Sequence, residues 1–484
     1  MRITIRSGER EFTVNCAAGE DLLTVLQSAG LNVPAGCGGR GVCGKCKVHV
    51  CGGSFGAEER ETLACRTEAE EGLTVRVGEY VGGGLTEGGK EDAAGGCDGE
   101  EGFGLAVDIG TTTVAYALCD LRSGKTLKKH AELNRQASFG ADVISRIMSA
   151  EAGNAQLLAE AVRGQIAETA ARLMSEFSVP VLKKVTVCGN TTMLHLFCGE
   201  DVSGIGRYPF TPAFTEFRSM PGGALGLAMA EEVQLLPSVS AYVGADIVAG
   251  AIAAGLDNED ALLVDIGTNG EMLAHSGGRF FCTSTAAGPC FEGANIECGT
   301  GGVAGAVDSV RIEDGKVAFT TIGGEPPRGI CGAGLVDALA VMLGTGAIDE
   351  TGAFVEGDKF VIGGGVYISQ KDVRNYQLAK SAICAGIRIL AERAGLALAE
   401  INLYIAGGLG FYLDGANARK TGLLPAEGAE HQKVIGNAAL AGARLCMISR
   451  AALERAKKLA AETEYIDLSA DAEFMDAYIE NMNF

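Results

Sequence analysis

Two stretches of the chain set an aspartate near the end of an apolar run and follow it with glycine and hydroxyl or amide residues. In LAVDIGTTTVAY the run delivers Asp108 to Gly110-Thr111-Thr112-Thr113. In LLVDIGTNGEML, Asp265 stands in the equivalent place before Gly267-Thr268-Asn269-Gly270. A strand that ends this way suits a hairpin tip that grips phosphate. Glycine lets the backbone approach closely, amides and hydroxyls donate hydrogen bonds, and the aspartates can hold Mg²⁺ or its waters. One Gly-Thr hairpin is more often only a turn. Two copies on apolar strands point to nucleotide binding.

The second reactive set is made of cysteines. The chain carries 16 of them, and only one region clusters: Cys37, Cys43 and Cys46, spaced C-x5-C-x2-C in PAGCGGRGVCGKCKVHV, with Cys65 later in TLACRT. Four thiolates can hold a 2Fe–2S cluster, and the short spacings wrap a glycine-rich loop around the irons. C-x2-C is also a zinc half-site, but zinc sites usually pair two such halves and here the second is a lone cysteine. Cys51 remains an alternative fourth ligand, and Cys16 reads as packing. Cys282, Cys290, Cys298 and Cys331 form a looser set that could hold a second cluster, though their spacing favours packing.

The elements that must carry these groups follow from pattern. RITIRS and EFTVN alternate as two strands about a Gly8-Glu9 turn, and DLLTVLQSAG is a short helix with Asp21 as N-cap and Gly30 past its end. Residues 81–104 are glycine-rich and acidic and read as a flexible tether that leaves Cys97 exposed. NRQASFGADVISRI enters a helix. VTVCGNTTMLHLF is a buried strand, a turn and a helix start, so Gly189–Thr192 either faces the nucleotide or caps the helix. His195 reads as a core histidine. AYVGADIVAGAIAAG and IGNAALAGARL are helices of small residues that can cross closely at a hinge, and LYIAGGLG is a strand running into Gly407-Gly408. ISRAALERAKKLAAETEY is an amphipathic helix, and FMDAYIENMNF is placed against a lobe.

A net charge of −21 argues against nucleic acid as the main partner. No stretch approaches the roughly 18 uninterrupted apolar residues of a membrane span. MRITIRSGEREFTV lacks the apolar block of a signal peptide, so a cytoplasmic protein is expected.

The cysteine segment resembles the plant- and adrenodoxin-type ferredoxins, which implies a β-grasp fold with Cys37, Cys43, Cys46 and Cys65 as cluster ligands. The pieces after residue 104 resemble the acetate kinase, sugar kinase, Hsp70 and actin superfamily. That resemblance implies a pair of ribonuclease-H-like α/β lobes with ATP and Mg²⁺ in the cleft: one lobe about 105–245 plus the C-terminal helices, the other about 246–435. It assigns Asp108–Thr113 and Asp265–Gly270 to phosphate, Gly407, Gly408 and Gly410 to adenosine, and Gly244–Asp246 and Gly436–Gly442 to the connecting helices. By the same resemblance Asp108 serves the metal, Asp265 orders metal or attacking water, and Asp246 is a further candidate. Joined in one chain with NRQASFGADVISRI, GNTTMLHL, GPCFEGA and GICGAGLVDAL, the two halves resemble the reductive activators of corrinoid proteins. This implies an α+β and α/β multidomain ATPase that passes one electron from a 2Fe–2S cluster to the cob(II)alamin of a methyltransferase-system corrinoid protein, after loading by an upstream donor. The longest members carry an extra middle domain, expected here to be missing because the tether runs straight into the first phosphate strand. A homodimer is a further partner reading. A donor to another low-potential iron–sulfur enzyme and a small-molecule kinase with a regulatory ferredoxin are the alternatives.

Overall fold

The computed structural model describes residues 1–7, 10–29, 31, 33, 39, 41, 46–77, 96–409 and 413–484. Cys37, Cys43, Gly410, the Gly8-Glu9 turn, Gly30 and residues 81–95 of the expected tether lie outside them.

At the N-terminus five strands pair in the order Arg10–Asn15, Arg2–Ser7, Thr74–Val77, Lys47–Cys51, Arg60–Leu63. Alternation decides which face is covered: Ile3, Ile5, Val48, Val50 and Val75 are buried between more exposed neighbours. The helix Leu22–Ser28 lays Leu22, Leu23, Val25 and Leu26 on that face, and Asp21 caps it by accepting from the Thr24 amide at 3.0 Å. This is the β-grasp arrangement.

Past the tether the chain builds two six-stranded sheets on one plan. In the first, Phe103–Ile109 pairs antiparallel with Thr113–Asp120 and parallel with Leu182–Gly189. In the second, Ala261–Ile266 pairs antiparallel with Gly270–Ser276 and parallel with Asn402–Ala406. Each central strand is covered on both faces and therefore reads as an unbroken apolar run that stops at its aspartate. The duplicated strand-and-turn pattern is a duplicated lobe, the actin-like fold.

The lobes meet along the helices Ala245–Ala254 and Ala438–Ile448. A Cβ on Gly442 would overlap the Ala249 carbonyl oxygen, so the two backbones approach as only glycine permits. Gly442→Ala should therefore cost about 1–3 kcal/mol in urea unfolding. Gly250→Ala should cost less, because its nearest neighbour, at 3.3 Å, is the movable tip of Leu263.

Two terminal segments differ in how closely they match expectation. The last nine residues assigned to the tether are held rather than loose. Cys97 is half-buried, not exposed: its thiol donates to the Leu121 carbonyl at 2.9 Å, and it lies beside Gly124. Asp98 caps the helix Arg450–Glu462 by accepting from the Arg450 amide at 2.7 Å. A small apolar thiol and a capping carboxylate are what glycine-rich composition conceals. At the other end Ala472–Glu480 does pack on the long helix Gln370–Ala394, where Gln377 donates to the Met482 carbonyl at 2.8 Å and Phe484 stacks on Tyr376.

Candidate functional site

The two phosphate turns face each other across a cavity of about 230 Å³ between the lobes. The first turn is closed by the Gly110 amide donating to the Thr113 carbonyl at 2.9 Å, the second by Gly267 donating to Asn269 at 3.1 Å. Asp108, Asp246, Asp265, Glu271 and Glu292 all line the cavity, as do Thr111, Thr112, Thr113, Thr268, Asn269, Gly407 and Gly408; Gly270 is not in the lining. Within Gly189–Thr192, Asn190 caps the helix Thr191–Cys198 by accepting from the Met193 amide, and it also lines the cavity. His195 is a core histidine: its Nε2 accepts from the Phe214 amide and its ring stacks on Phe214.

Crowding these carboxylates together has an electrostatic cost. Burial, and then the nearby charge of Asp246, push Asp108 up to about 7 against the hydrogen bonds from Asn437 and Cys188. Burial and the charges of Asp246, Asp108 and Glu292 push Asp265 up to about 8. Burial carries Asp246 to about 6 and Glu271 well above the ordinary range. No lysine or arginine is among the described residues lining the cavity. A cation is therefore needed before nucleotide phosphates can join these acids. Among the described residues no three Asp, Glu, His or Cys side chains converge into a ready metal cage. The carboxylate donors present fit Mg²⁺, which keeps several waters and takes one or two carboxylates plus substrate phosphates. Asp108 and Asp265 are the candidate carboxylates.

Gly407 has φ 98°, and a Cβ there would lie 2.7 Å from Asp265 Oδ1, so a side chain at this point would strike the acid.

The segment after the first hairpin holds the first turn from behind. Asn134 donates its amide nitrogen to Thr112 O and its side chain to Gly110 O, each at 2.8 Å, while Arg146 donates to Thr111 O and Gly140 O. The Gly110, Thr111 and Thr112 carbonyls are thus bound by one segment. Arg146 is wholly buried, and burial lowers its pKa to about 9. Arg146→Met should strand the Thr111 and Gly140 carbonyls, at about 1–3 kcal/mol for each unsatisfied group. Urea unfolding combined with MgATP titration would show lower stability and weaker binding together.

Cys46 Sγ and Cys65 Sγ lie 3.3 Å apart, close enough to turn onto one metal centre, and Cys46 is buried at the base of its strand. The two described thiols thus fit a cluster. Cys51, five residues up that strand, is about 16 Å away at ordinary strand rise and does not fit as the fourth ligand. Cys282, Cys290 and Cys331 are buried with raised thiol pKa values, and with Cys298 they form no metal-holding group. Cys65 and Leu23 look across a cavity of about 580 Å³ at Arg135, Phe139 and Leu157, next to the segment that braces the first phosphate turn.

Comparison with known proteins agrees with this geometry. Family profiles match a 2Fe-2S iron-sulfur cluster binding domain at residues 5–70, the RACo middle region at 103–259, and the C-terminal domain of RACo, the ASKHA domain, at 259–484. The corrinoid activation enzyme RamQ of Eubacterium limosum is 34% identical over 416 residues, covering 79% of this chain and 70% of that protein. The chain belongs to the reductive activators of corrinoid proteins. Another relative is the [Co(II) methylated amine-specific corrinoid protein] reductase of Methanosarcina barkeri, 25% identical over 79% of this chain and 77% of its own length. A solved reductive activator for corrinoid, iron-sulfur protein aligns over 100% of this chain and 98% of its own, with TM-score 0.73 and 30% identity.

The profile match corrects one expectation. The middle region of these activators is not missing: it is residues 103–259 and contains the first phosphate strand itself. Sequence reasoning also passed over Glu271, Glu292, Asn134, Arg146 and Asn437. Hairpin register could have found Glu271, which sits directly across from Asp265 where the first hairpin has Ala115 opposite Asp108.

Proposed function

We propose that this chain couples ATP binding and hydrolysis to the one-electron reduction of cob(II)alamin, held by a corrinoid protein, to cob(I)alamin. The observation that carries the proposal is one chain with paired thiols fit for a cluster and a two-lobed acidic cleft between duplicated phosphate turns. A 2Fe–2S cluster, held by Cys46 and Cys65 with Cys37 and Cys43, supplies one electron at a time. The protein's own residues do the rest. Asp108 and Asp265 hold Mg²⁺ or its waters, with Asp246 behind them. Gly110–Thr113 and Gly267–Gly270 cradle phosphates, and Gly407, Gly408 and Gly410 leave room for adenosine. The bracing segment from Asn134 to Arg146 ties the first turn to the face opposite Cys65.

Family resemblance implies that the transfer is uphill. For a one-electron couple each ~59 mV of deficit corresponds to about 1.4 kcal/mol. The nucleotide-bound closed complex must therefore prefer the reduced corrinoid by that margin, and hydrolysis resets the lobes.

The domain division that supports this reading is 1–80, a tether from 81 to 104 whose last residues are bound, and 105–484. The M. barkeri relative is named for a methylated-amine-specific corrinoid protein, which favours a methyltransferase system as the setting. An upstream donor loads the cluster. The cytoplasm is the proposed compartment, because cysteine thiolates that hold a cluster are kept available in a reducing environment. Self-association of the ATPase lobes is checked by sedimentation of the whole chain. The test of function is product analysis. Inorganic phosphate released alongside corrinoid reduction is expected, whereas a phosphorylated sugar or acid made without any protein partner would establish a kinase instead.

A further inference from the structure

We infer that Glu292 is the carboxylate that orients and deprotonates the water attacking the terminal phosphate, an assignment that rests on the ATP reading above. Of the described carboxylates lining the cavity, Glu292 is the one in contact with both phosphate turns. Its Oε2 accepts from the Thr112 hydroxyl of the first lobe, while Oε1 accepts from the Thr268 amide at 2.8 Å and the Thr268 hydroxyl at 2.9 Å in the second. These donors are the ones the turns present to phosphate, so the carboxylate sits where the two grips converge.

Asp265 is taken by the metal in the reading above, and the remaining acids that line the cavity accept hydrogen bonds elsewhere. Asp108 accepts from Asn437 at 3.1 Å, Asp246 from the Ile247 amide at 3.0 Å, and Glu271 from the Gly244 amide at 2.8 Å. Glu132 accepts from the Tyr116 and Thr169 hydroxyls. Glu292 also arrives on a separate element, the short 3-10 turn Pro289–Glu292. That turn is fixed to the site it serves: the Gly288 amide donates to Thr268 O at 2.9 Å, and a Cβ on Gly293 would overlap the Thr300 backbone. A carboxylate held against both turns by a rigid support has the position a general base needs.

The step balances without any further reactant. Water oxygen bonds to the terminal phosphorus, and the bond from that phosphorus to the bridging oxygen breaks to leave ADP. The water proton passes to Glu292 and then to solvent or the released phosphate. The Thr112 hydroxyl, freed from the carboxylate, donates to the phosphate oxygens, while Thr268 continues to hold Glu292 Oε1.

Glu292→Gln keeps the shape and the hydrogen bond from Thr268 while removing the base. In the full-length protein it should lower the rate of single-turnover MgATP hydrolysis by about 100-fold or more. MgATP binding by calorimetry should stay within about threefold of wild type, that is, within about 0.7 kcal/mol. Glu292→Ala should regain part of its rate with added formate, a response that a purely structural role does not give. Hydrolysis by Glu292→Gln within about threefold of wild type, with binding intact, would overturn the assignment and leave Glu292 as an interlobe tie. Absence of MgATP binding in the wild-type protein would overturn the ATP reading itself, and this assignment with it.

Discussion

Asp265→Asn should cut ATP turnover by about a thousandfold and at the same time raise the melting temperature at pH 7.5. The first effect follows from the proposed place of Asp265 beside metal and phosphate, a site of the kind at which one preorganised group contributes about 10²–10³ in rate. The second follows from linkage. Burial and neighbouring carboxylates push Asp265 to about 8 from an ordinary 3.8. A folded value above the unfolded one means that stability is whole below about pH 4. It drains as pH rises toward about 8, because the unfolded chain releases a proton that the fold retains. Asparagine carries no such proton, so the variant should melt higher at pH 7.5 by roughly 2–4 °C for each kcal/mol recovered. Near pH 4 the two proteins should melt together. MgATP should stabilise the wild type and leave the variant unmoved. A variant that is neither more stable at pH 7.5 nor slower would mean that Asp265 is not part of the metal-binding floor.

Cys65→Ser should abolish corrinoid reduction while leaving nucleotide hydrolysis by the interlobe cleft within about twofold. A serine hydroxyl is a poor ligand for iron compared with a thiolate, and Cys65 is the partner placed 3.3 Å from Cys46. The reduced protein should lose the paramagnetic signal of a 2Fe–2S centre. Cys51→Ser should keep both signal and activity, since its strand carries it away from that pair. The reverse pattern would move the fourth ligand to Cys51.

What could be read from the chain alone was what repeats or clusters locally. Asp108 and Asp265 were legible because each ends an apolar run at a glycine turn, and a strand buried on both faces leaves that signature wherever it occurs. Cys46 was legible as a candidate from its C-x5-C-x2-C spacing, whereas Cys65 came from the ferredoxin resemblance and the fold brings it beside Cys46. Glu292 was not, since it comes from a 3-10 turn distant in sequence from Thr112 and its role exists only once the lobes face each other. Arg146 was hidden for a different reason. In VISRIM it reads as a surface residue of an amphipathic helix, and only the fold shows it buried beneath Thr111. Cys97 and Asp98 were misjudged because glycine-rich acidic sequence describes an average, whereas two side chains with a thiol contact and a cap suffice to pin a strand's approach.

The most direct test of the whole account is anaerobic optical detection of cob(I)alamin when the reduced, cluster-loaded chain meets a cob(II)alamin-bearing corrinoid protein with and without MgATP. Rapid cob(I)alamin formation that requires MgATP, takes one electron per chain and disappears in both Asp265→Asn and Cys65→Ser is the predicted result. Reduction at the same rate without nucleotide, or survival of MgATP-driven reduction in either variant, would contradict the claim that cleft and cysteine head work as one device.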